Sequence, residues 1–334
     1  MVNGLANIRE ISDFFFVTSP HLNHEHKERD VNWAFMNKEY IRTELIKNGP
    51  PAWYQKIEVI KGSGIFTEPN SIDSSADLFF NNFGLTEADL KNKRVLDIGA
   101  FSGAISFIAE DWGAEVFSID IQSPKTNGYS TVHNIRKSTA THITMSVYDL
   151  HPELLGSFDV VIFSGVHYHF KHPLLALERV NSVTKPGGLL LTLGTSADRW
   201  IHTPDSIGRG VDINSIEVCD KEKSIKLSEI PLISFYKNHY LNDTSNWFIP
   251  NTLALSHMIE ASGFEVLSSA SHPMDQLNIT RSCSVIMGRK VGEPIEEYSS
   301  DVYHHLRKFK DDDKGSVSFK IPTFFELEKE RRIR

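Results

Sequence analysis

Residues 95–121, VLDIGAFSGAISFIAEDWGAEVFSIDI, set an acid, a glycine turn and a second acid at intervals suited to holding a ligand that carries hydroxyl groups. Asp97 stands near the end of a strand that begins at Arg94, and the chain turns at Gly99. Beyond the turn, Ile105, Ile108 and Trp112 fall on one face of a helix directed at a sheet. Gly113 ends that helix, and a second strand delivers Asp120 at its tip, where a carboxylate accepts both hydroxyls of a ribose. A dinucleotide site of this shape needs a second glycine so that backbone approaches a pyrophosphate closely. Here that place holds Ala100 and the bulky Phe101, and the next glycine is Gly103.

The pattern therefore fits a ligand with ribose and adenine but no pyrophosphate. S-Adenosylmethionine (SAM) is such a ligand: Asp97, directly or through water, and the loop backbone meet its ammonium and carboxylate, while Phe101 packs on the methionine portion. Nicotinamide dinucleotide chemistry would use the same strand–helix–strand unit, and the missing glycine argues against it. A purely structural turn is the plain alternative, weakened because strand, glycine turn, helix and acid-tipped strand occur together.

A second cluster, HYHFKH at 167–172, follows a later strand, on the edge of an open α/β sheet where ligands bind. His167 and His169 are two apart and point the same way if strand geometry persists; either then serves as a general base, since imidazole titrates near neutrality. Tyr168 would line the donor pocket. Two other readings stay open: metal ligation by His167, His169 and His172 with an acid from elsewhere, and a structural role capping the next helix. In NWFIPN, Asn246 and Trp247 are candidates for the wall of an acceptor pocket, against the commoner role of packing before a helix. Trp53 and Tyr54 either close that pocket or staple the N-terminal leader to the core. Arg209 and His239 are possible polar contacts or solvated loop residues, and HLNHEH at 21–26 is a solvated loop rather than a metal site.

These groups need a sheet to position them. RVLDIG, EVFSIDI, HITMSVYDL, FDVVIFSG and GGLLLTLGT read as strands alternating with helical segments, a mostly parallel sheet with helices on both faces. NTLALSHMIEASG is a helix, and FEVLSSA and RSCSVIMGRK are two further strands. The division expected is an N-terminal helical and aromatic leader (1–85), in which AWYQKIEVI reads as a strand, a core domain (86–290) and a charged tail (291–334). Within the core, the irregular stretch 196–246 is too long for an ordinary loop and has the length of a substrate-binding insertion. The 334 residues carry a net charge of −8, which gives no general attraction to nucleic acid. Two cysteines, Cys219 and Cys283, make neither a disulfide framework nor a zinc pattern, and no run reaches membrane-spanning length. The expectation is a soluble, cytoplasmic protein without a metal; leader and tail aromatics such as Trp33, Phe324 and Phe325 would suit a homo-oligomer interface.

Taken together, VLDIGAFSG, FSIDI and FDVVIFSGVHYHFKHPLLALERVNSVTKPGGLLLTLGT resemble the class I SAM-dependent methyltransferases over roughly residues 90–290. WYQKIEV, GVHYHFKHPLLAL and NWFIPNTLALSHMIEASGF are similar to the branch containing tRNA wobble-uridine 5-carboxymethoxy methyltransferases and uncharacterised relatives. The resemblance implies a Rossmann-like α/β fold with a seven-stranded sheet. It also implies that Asp97, Gly99, Ala100, Phe101 and Gly103 form the methionine side of the cofactor site, with Asp120 and Ile121 at ribose and adenine. Asp149 would accept from the adenine amine with Val147 and Tyr148 beside the ring, and Ser164 and Gly165 would lie near the sulfonium. One member of the branch transfers a carboxymethyl group from carboxy-SAM. Tyr168 and Lys61 match part of that apparatus, but the family's later arginine has no equivalent, since Arg281 falls in the last strand. The reading favoured is methyl transfer to oxygen or nitrogen of a small molecule such as a sugar or natural-product intermediate. The alternative is a wobble-uridine enzyme, which needs a basic track; its candidates, Lys221, Lys223, Lys226, Lys237 and Arg331, Arg332 and Arg334, are scattered among acids. A non-catalytic SAM-binding protein is the last option.

Overall fold

The computed structural model describes residues 37–68, 79–202, 210–220, 223–237, 240, 243–276 and 279–295. The chain divides into two compact units, 1–294 and 295–334, and the architecture below is that of the first. Trp33, Phe324, Phe325, the histidines at 21–26, Arg209, Lys221, His239 and the C-terminal arginines lie outside the described residues.

Seven strands make one sheet: β1 (Arg94–Ile98), β2 (Glu115–Asp120), β3 (Thr141–Thr144), β4 (Phe158–Ser164), β5 (Thr184–Ser196), β6 (Phe264–Gln276) and β7 (Ile279–Lys290). Their order is β6-β7-β5-β4-β1-β2-β3. Strands β1 to β5 pair in parallel, whereas β7 runs antiparallel to both β5 and β6. This is the Rossmann-like class I methyltransferase arrangement. Strand order reverses between β1 and β4, and the crevice at that switch lies beyond the carboxyl ends of the strands. Val95, Leu96, Val161, Ile162, Leu190 and Leu191 explain why the central strands read as unbroken apolar runs: both faces of the sheet are covered.

Among the described residues, the helices of eight residues or more are α1 (Lys38–Asn48), α2 (Ala104–Asp111), α3 (Tyr129–Arg136), α4 (Pro173–Val183) and α5 (Thr252–Ala261). Pro173 opens α4 at the position where a missing N–H goes unnoticed. Asn251 caps α5, its side-chain oxygen accepting from Ala254 N at 2.9 Å. Helix α2 meets the sheet through half-buried Ile105, Ile108 and Trp112, as their spacing predicts. It also buries Ala104 and Phe107 in a second cluster with Ile41, Leu45, Trp53, Ile57, Val59, Tyr129 and Val132. Residues between Ile41 and Ile65 of the leader thus pack into one cluster with α2 and α3.

Three expectations are corrected. Residues 52–60 form no strand; the segment meets its own return through an isolated bridge between Glu58 and Phe66 and the bond from Val59 N to Ile65 O at 2.8 Å. Its apolar residues face α2 and α3 instead of a sheet neighbour. Strand β3 stops at Thr144, because Ser146 caps a 3-10 turn at Val147–Asp149 by accepting from Tyr148 N. The stretch 196–246 is not irregular throughout: among its described residues it holds two short antiparallel pairs, Trp200–His202 with Gly210–Asp212 and Glu217–Asp220 with Lys223–Lys226, and a strand at Ile233–Phe235 that pairs with Phe248–Pro250 just beyond it. Strands of three or four residues are too short to reveal a period of two. Among the described residues no helix is long and apolar enough to cross a membrane.

Candidate active site

The turn from β1 into α2 forms the floor of the site. Gly99 has φ +72°, and a Cβ there would lie 2.3 Å from Val166 Cγ1, so no other residue fits. Its N–H and that of Ala100 both donate to Ile119 O, at 2.8 and 3.1 Å. Phe101 also adopts a left-handed conformation, φ +50°, which disfavours a bulky residue by about 1 kcal/mol or more. It is held there because its N–H donates to Asp120 Oδ2 at 2.9 Å. Asp120 Oδ1 accepts from Gln122 N at 2.8 Å, so this carboxylate braces two loops while each oxygen keeps a lone pair for a ligand hydroxyl. Beside it Ile121 is 76% exposed, an apolar surface next to the acid, where an adenine would lie against it.

Asp97 is buried below the turn, with Oδ2 accepting from Ser106 Oγ at 2.6 Å. Burial lifts its carboxyl to about 6; the Ser106 bond opposes the rise and the Asp120 charge adds to it. A buried acid of this kind retains a strong demand for a cation. Gly103 plays a different part from Gly99. A Cβ on it would meet the rings of Phe107 and Tyr129 at 2.7 and 2.8 Å, so the glycine lets α2 begin close against α3. Asp149 is exposed and Tyr148 half-buried, its hydroxyl accepting from His172 N at 3.1 Å. The Val147 side chain is buried in the core.

Above the floor, β4 ends at Ser164 and Gly165, whose φ is +69° and whose N–H donates to Leu193 O at 2.7 Å. Strand geometry does not persist beyond them. His167–His169 form a 3-10 turn, and the two histidines are held by different elements. His167 is buried with Nε2 on Thr195 O at 3.0 Å, and its Nδ1 has no partner among the described residues. Burial drives its imidazole down to about 4, so it stands neutral behind Tyr168 as a packed group. His169 Nδ1 lies 2.9 Å from Ser245 Oγ, whose own proton goes to Asp243. Ser245 must therefore accept from Nδ1–H, which leaves Nε2 of His169 as the basic nitrogen. Burial lowers the His169 pKa, with Ser245 and Asp243 opposing.

Tyr168 is half-buried beside Thr195; its hydroxyl is 3.6 Å from the point a Cβ on Gly165 would occupy. Burial, reinforced by Tyr54, raises its phenol above the usual range and keeps it protonated. Tyr54 is 62% exposed with its ring 5.4 Å from that of Phe101. Trp53, its neighbour, is no pocket wall: it is buried against Gly49 and Gly128 and staples the leader to α3. Asn246 is also withdrawn from the wall, buried with Nδ2 donating to Tyr240 O at 3.1 Å. Trp247 remains half-buried, its N–H on Tyr168 O at 2.8 Å and Lys171 Nζ 4.4 Å over its ring. Lys61 pairs with Glu87 at 4.0 Å. The segment leading to it runs along α3 from Gly128, beside Trp53, to Arg136, which donates to Val59 O, and so ends at the opposite edge of the sheet from the site.

Sequence reasoning missed Val166, Gly194, Thr195, Ser245, Asp243 and a chain of hydroxyls behind Asp97. A signal for the last existed, since Ser106 and Ser118 are polar residues inside otherwise apolar elements. Among the described residues no His, Cys, Asp and Glu side chains gather into a group able to hold a metal ion.

A family model for a methyltransferase domain matches residues 77–269, more than half of the chain. The chain belongs to the methyltransferase-domain family. This methyltransferase domain is 34% identical over 102 residues to a ubiquinone biosynthesis O-methyltransferase of Xanthomonas campestris, covering 30% of this chain and 42% of that one. It is 24% identical over 212 residues to a tRNA U34 carboxymethyltransferase of Idiomarina loihiensis, covering 62% and 56%. It therefore spans less than two thirds of either relative. Among solved structures, a putative S-adenosylmethionine-dependent methyltransferase from Listeria monocytogenes is similar at TM-score 0.47 and 13% identity, covering 65% of this chain and 99% of that one.

Proposed function

We propose that this chain is a SAM-dependent methyltransferase acting on an oxygen or nitrogen of a small-molecule acceptor, a sugar or natural-product intermediate. One observation carries the reading: Asp120, at the tip of β2, fastens the N–H of a left-handed Phe101 and so builds a turn that has a ribose acceptor and no room for a pyrophosphate. The residues present fit the donor. Asp120 and Ile121 would hold its ribose and adenine, Gly99 and Phe101 its methionine portion, and Asp97 its ammonium. When bound, the donor supplies a methyl carbon activated by positive sulfur. The chain then has to align the acceptor in line with that carbon and remove a proton. Tyr168, kept protonated by burial, orients the acceptor by hydrogen bonding. His169 Nε2, set by Ser245 and Asp243 as the basic nitrogen, takes the acceptor proton.

Near the turn, Tyr54 stands edge-on to Phe101 at 5.4 Å, and Lys171 Nζ lies over the Trp247 ring. This suits an uncharged ring better than a phosphate backbone. A second reading, carboxymethyl or methyl transfer to wobble uridine, draws on the similarity to the tRNA U34 carboxymethyltransferase and on Tyr168. Lys61, its other candidate contact, is engaged by Glu87. The deciding experiment supplies tritiated-methyl SAM with, separately, a small-molecule extract and total tRNA. Label in the small-molecule fraction that disappears in Tyr168→Phe supports the proposal. Label in tRNA alone, or tighter binding of carboxy-SAM than SAM, puts the second reading in its place.

A further inference from the structure

Behind the glycine turn, three hydroxyl groups stand in line with the Asp97 carboxylate. Ser106 Oγ donates to Asp97 Oδ2 at 2.6 Å, Ser118 Oγ donates to Ser106 Oγ at 2.8 Å, and the Tyr129 hydroxyl lies 2.9 Å from Ser118 Oγ. These groups come from four elements, β1, α2, β2 and α3, and none reaches water: Asp97 is 2% exposed, Ser106 and Ser118 0% and Tyr129 1%. With Asp97 ionised, proton counting fixes their direction. Each hydroxyl has one proton. That of Ser106 is on Asp97, so its contact with Ser118 uses the proton of Ser118, and Tyr129 must donate to Ser118. All three bonds then point at Asp97, an arrangement best terminated by an ionised carboxylate, since aligned hydrogen bonds polarise one another. Packing alone does not ask for the hydroxyl of Tyr129; a phenylalanine ring would fill the same space beside Phe107.

Given the SAM reading above, we propose that Tyr129 is a positioning residue that acts through Ser118 and Ser106 to hold Asp97 ionised for the donor's ammonium. Donor affinity at mildly acid pH then depends on a phenol that never touches the donor. The charged and titratable neighbours are few. Asp120 faces Asp97 from β2, and Glu110 and Arg136 act on Tyr129 with opposite signs. The rings of His133 and His142 lie 5.9 and 4.5 Å from that of Tyr129, and burial keeps His142 neutral, at about 4.

The test uses the full chain with 13C-carboxyl aspartate, the Asp97 resonance being assigned by Asp97→Asn. Asp97 is expected to titrate near 6 in the native chain. Tyr129→Phe should raise the midpoint by a few tenths of a unit through loss of polarisation along the chain, and Ser106→Ala by about one unit through loss of the direct bond. Calorimetry with SAM should show affinity at pH 5.5 reduced about twofold in Tyr129→Phe and about eightfold in Ser106→Ala, both deficits shrinking towards nothing at pH 8. An Asp97 midpoint unchanged in Tyr129→Phe overturns the proposal, as does a deficit of equal size at pH 5.5 and pH 8, which is the mark of a packing defect. Midpoints that move while the native chain binds no SAM at any pH would instead overturn the donor reading, and leave the coupling of Tyr129 to Asp97 standing.

Discussion

Asp97→Asn should act in opposite directions on stability and on donor binding. The native carboxyl is buried, and its pKa is raised from 3.8 to about 6, mainly by the loss of water around it. Between those values the folded chain keeps a proton that the unfolded chain has released. Stability therefore falls as pH rises through that window, and the whole penalty is in force above pH 6. Two pKa units correspond to about 3 kcal/mol. Asparagine is nearly isosteric, neutral at every pH, and still accepts the Ser106 bond through Oδ1, though more weakly than a carboxylate does. Without ligand, the variant should be more stable than the native chain by about 1–3 kcal/mol at pH 7.5 and equal to it near pH 4. Urea unfolding followed by circular dichroism at both pH values measures this. At pH 7.5 the same variant should bind SAM at least about tenfold more weakly, the loss of one charge-assisted contact. A variant less stable than the native chain at pH 7.5, by a margin that does not shrink at low pH, would refute the reasoning. It would mean that the fold already compensates the charge of Asp97.

Other substitutions separate floor, staple and wall. Gly99→Ala sets a Cβ 2.3 Å from Val166 Cγ1 at a positive φ, and should abolish SAM binding and lower stability by about 2 kcal/mol or more in thermal unfolding. Trp53→Ala should destabilise by about 3–5 kcal/mol, whereas Tyr54→Ala should leave stability within about 0.5 kcal/mol and raise the KM for acceptor; equal stability effects would remove the distinction drawn between these neighbours. Gly194→Ala places a Cβ 2.7 Å from His167 Cε1 and 3.2 Å from Tyr168 Cε1. It should cut kcat about tenfold or more with little change in SAM affinity, by tilting Tyr168 off its acceptor.

The parts of the sequence that could be read were those whose signal is local. The apolar runs of β1, β2 and β4, the turn at Gly99 and the acid at Asp120 announce themselves within a few residues, whereas the sheet order came only from the resemblance to the class I methyltransferases. What failed was non-local. His167 and His169 looked like alternate residues of one strand, yet the chain coils at Val166 to pack that side chain on Gly99, and the histidines part company. Trp53 and Tyr54 are adjacent and equally aromatic; which of them is buried depends on Gly49 and Gly128, far from each other in sequence. Asn246 looked like a pocket residue because a polar amide next to a tryptophan gives no sign that its partner will be Tyr240 O. The tautomer of His169 could not be read at all, since it is set by Ser245, 76 residues away.

Calorimetric titration of the purified chain with SAM and with NAD, repeated on Asp120→Ala, decides which of the two ligands the turn at Phe101 accepts. The account predicts SAM binding in the native chain, no NAD binding, and SAM affinity lost in Asp120→Ala, because that carboxylate both accepts from the ribose and fastens Phe101. Binding of NAD in preference to SAM would contradict it, for a pyrophosphate would then have found room beside Phe101.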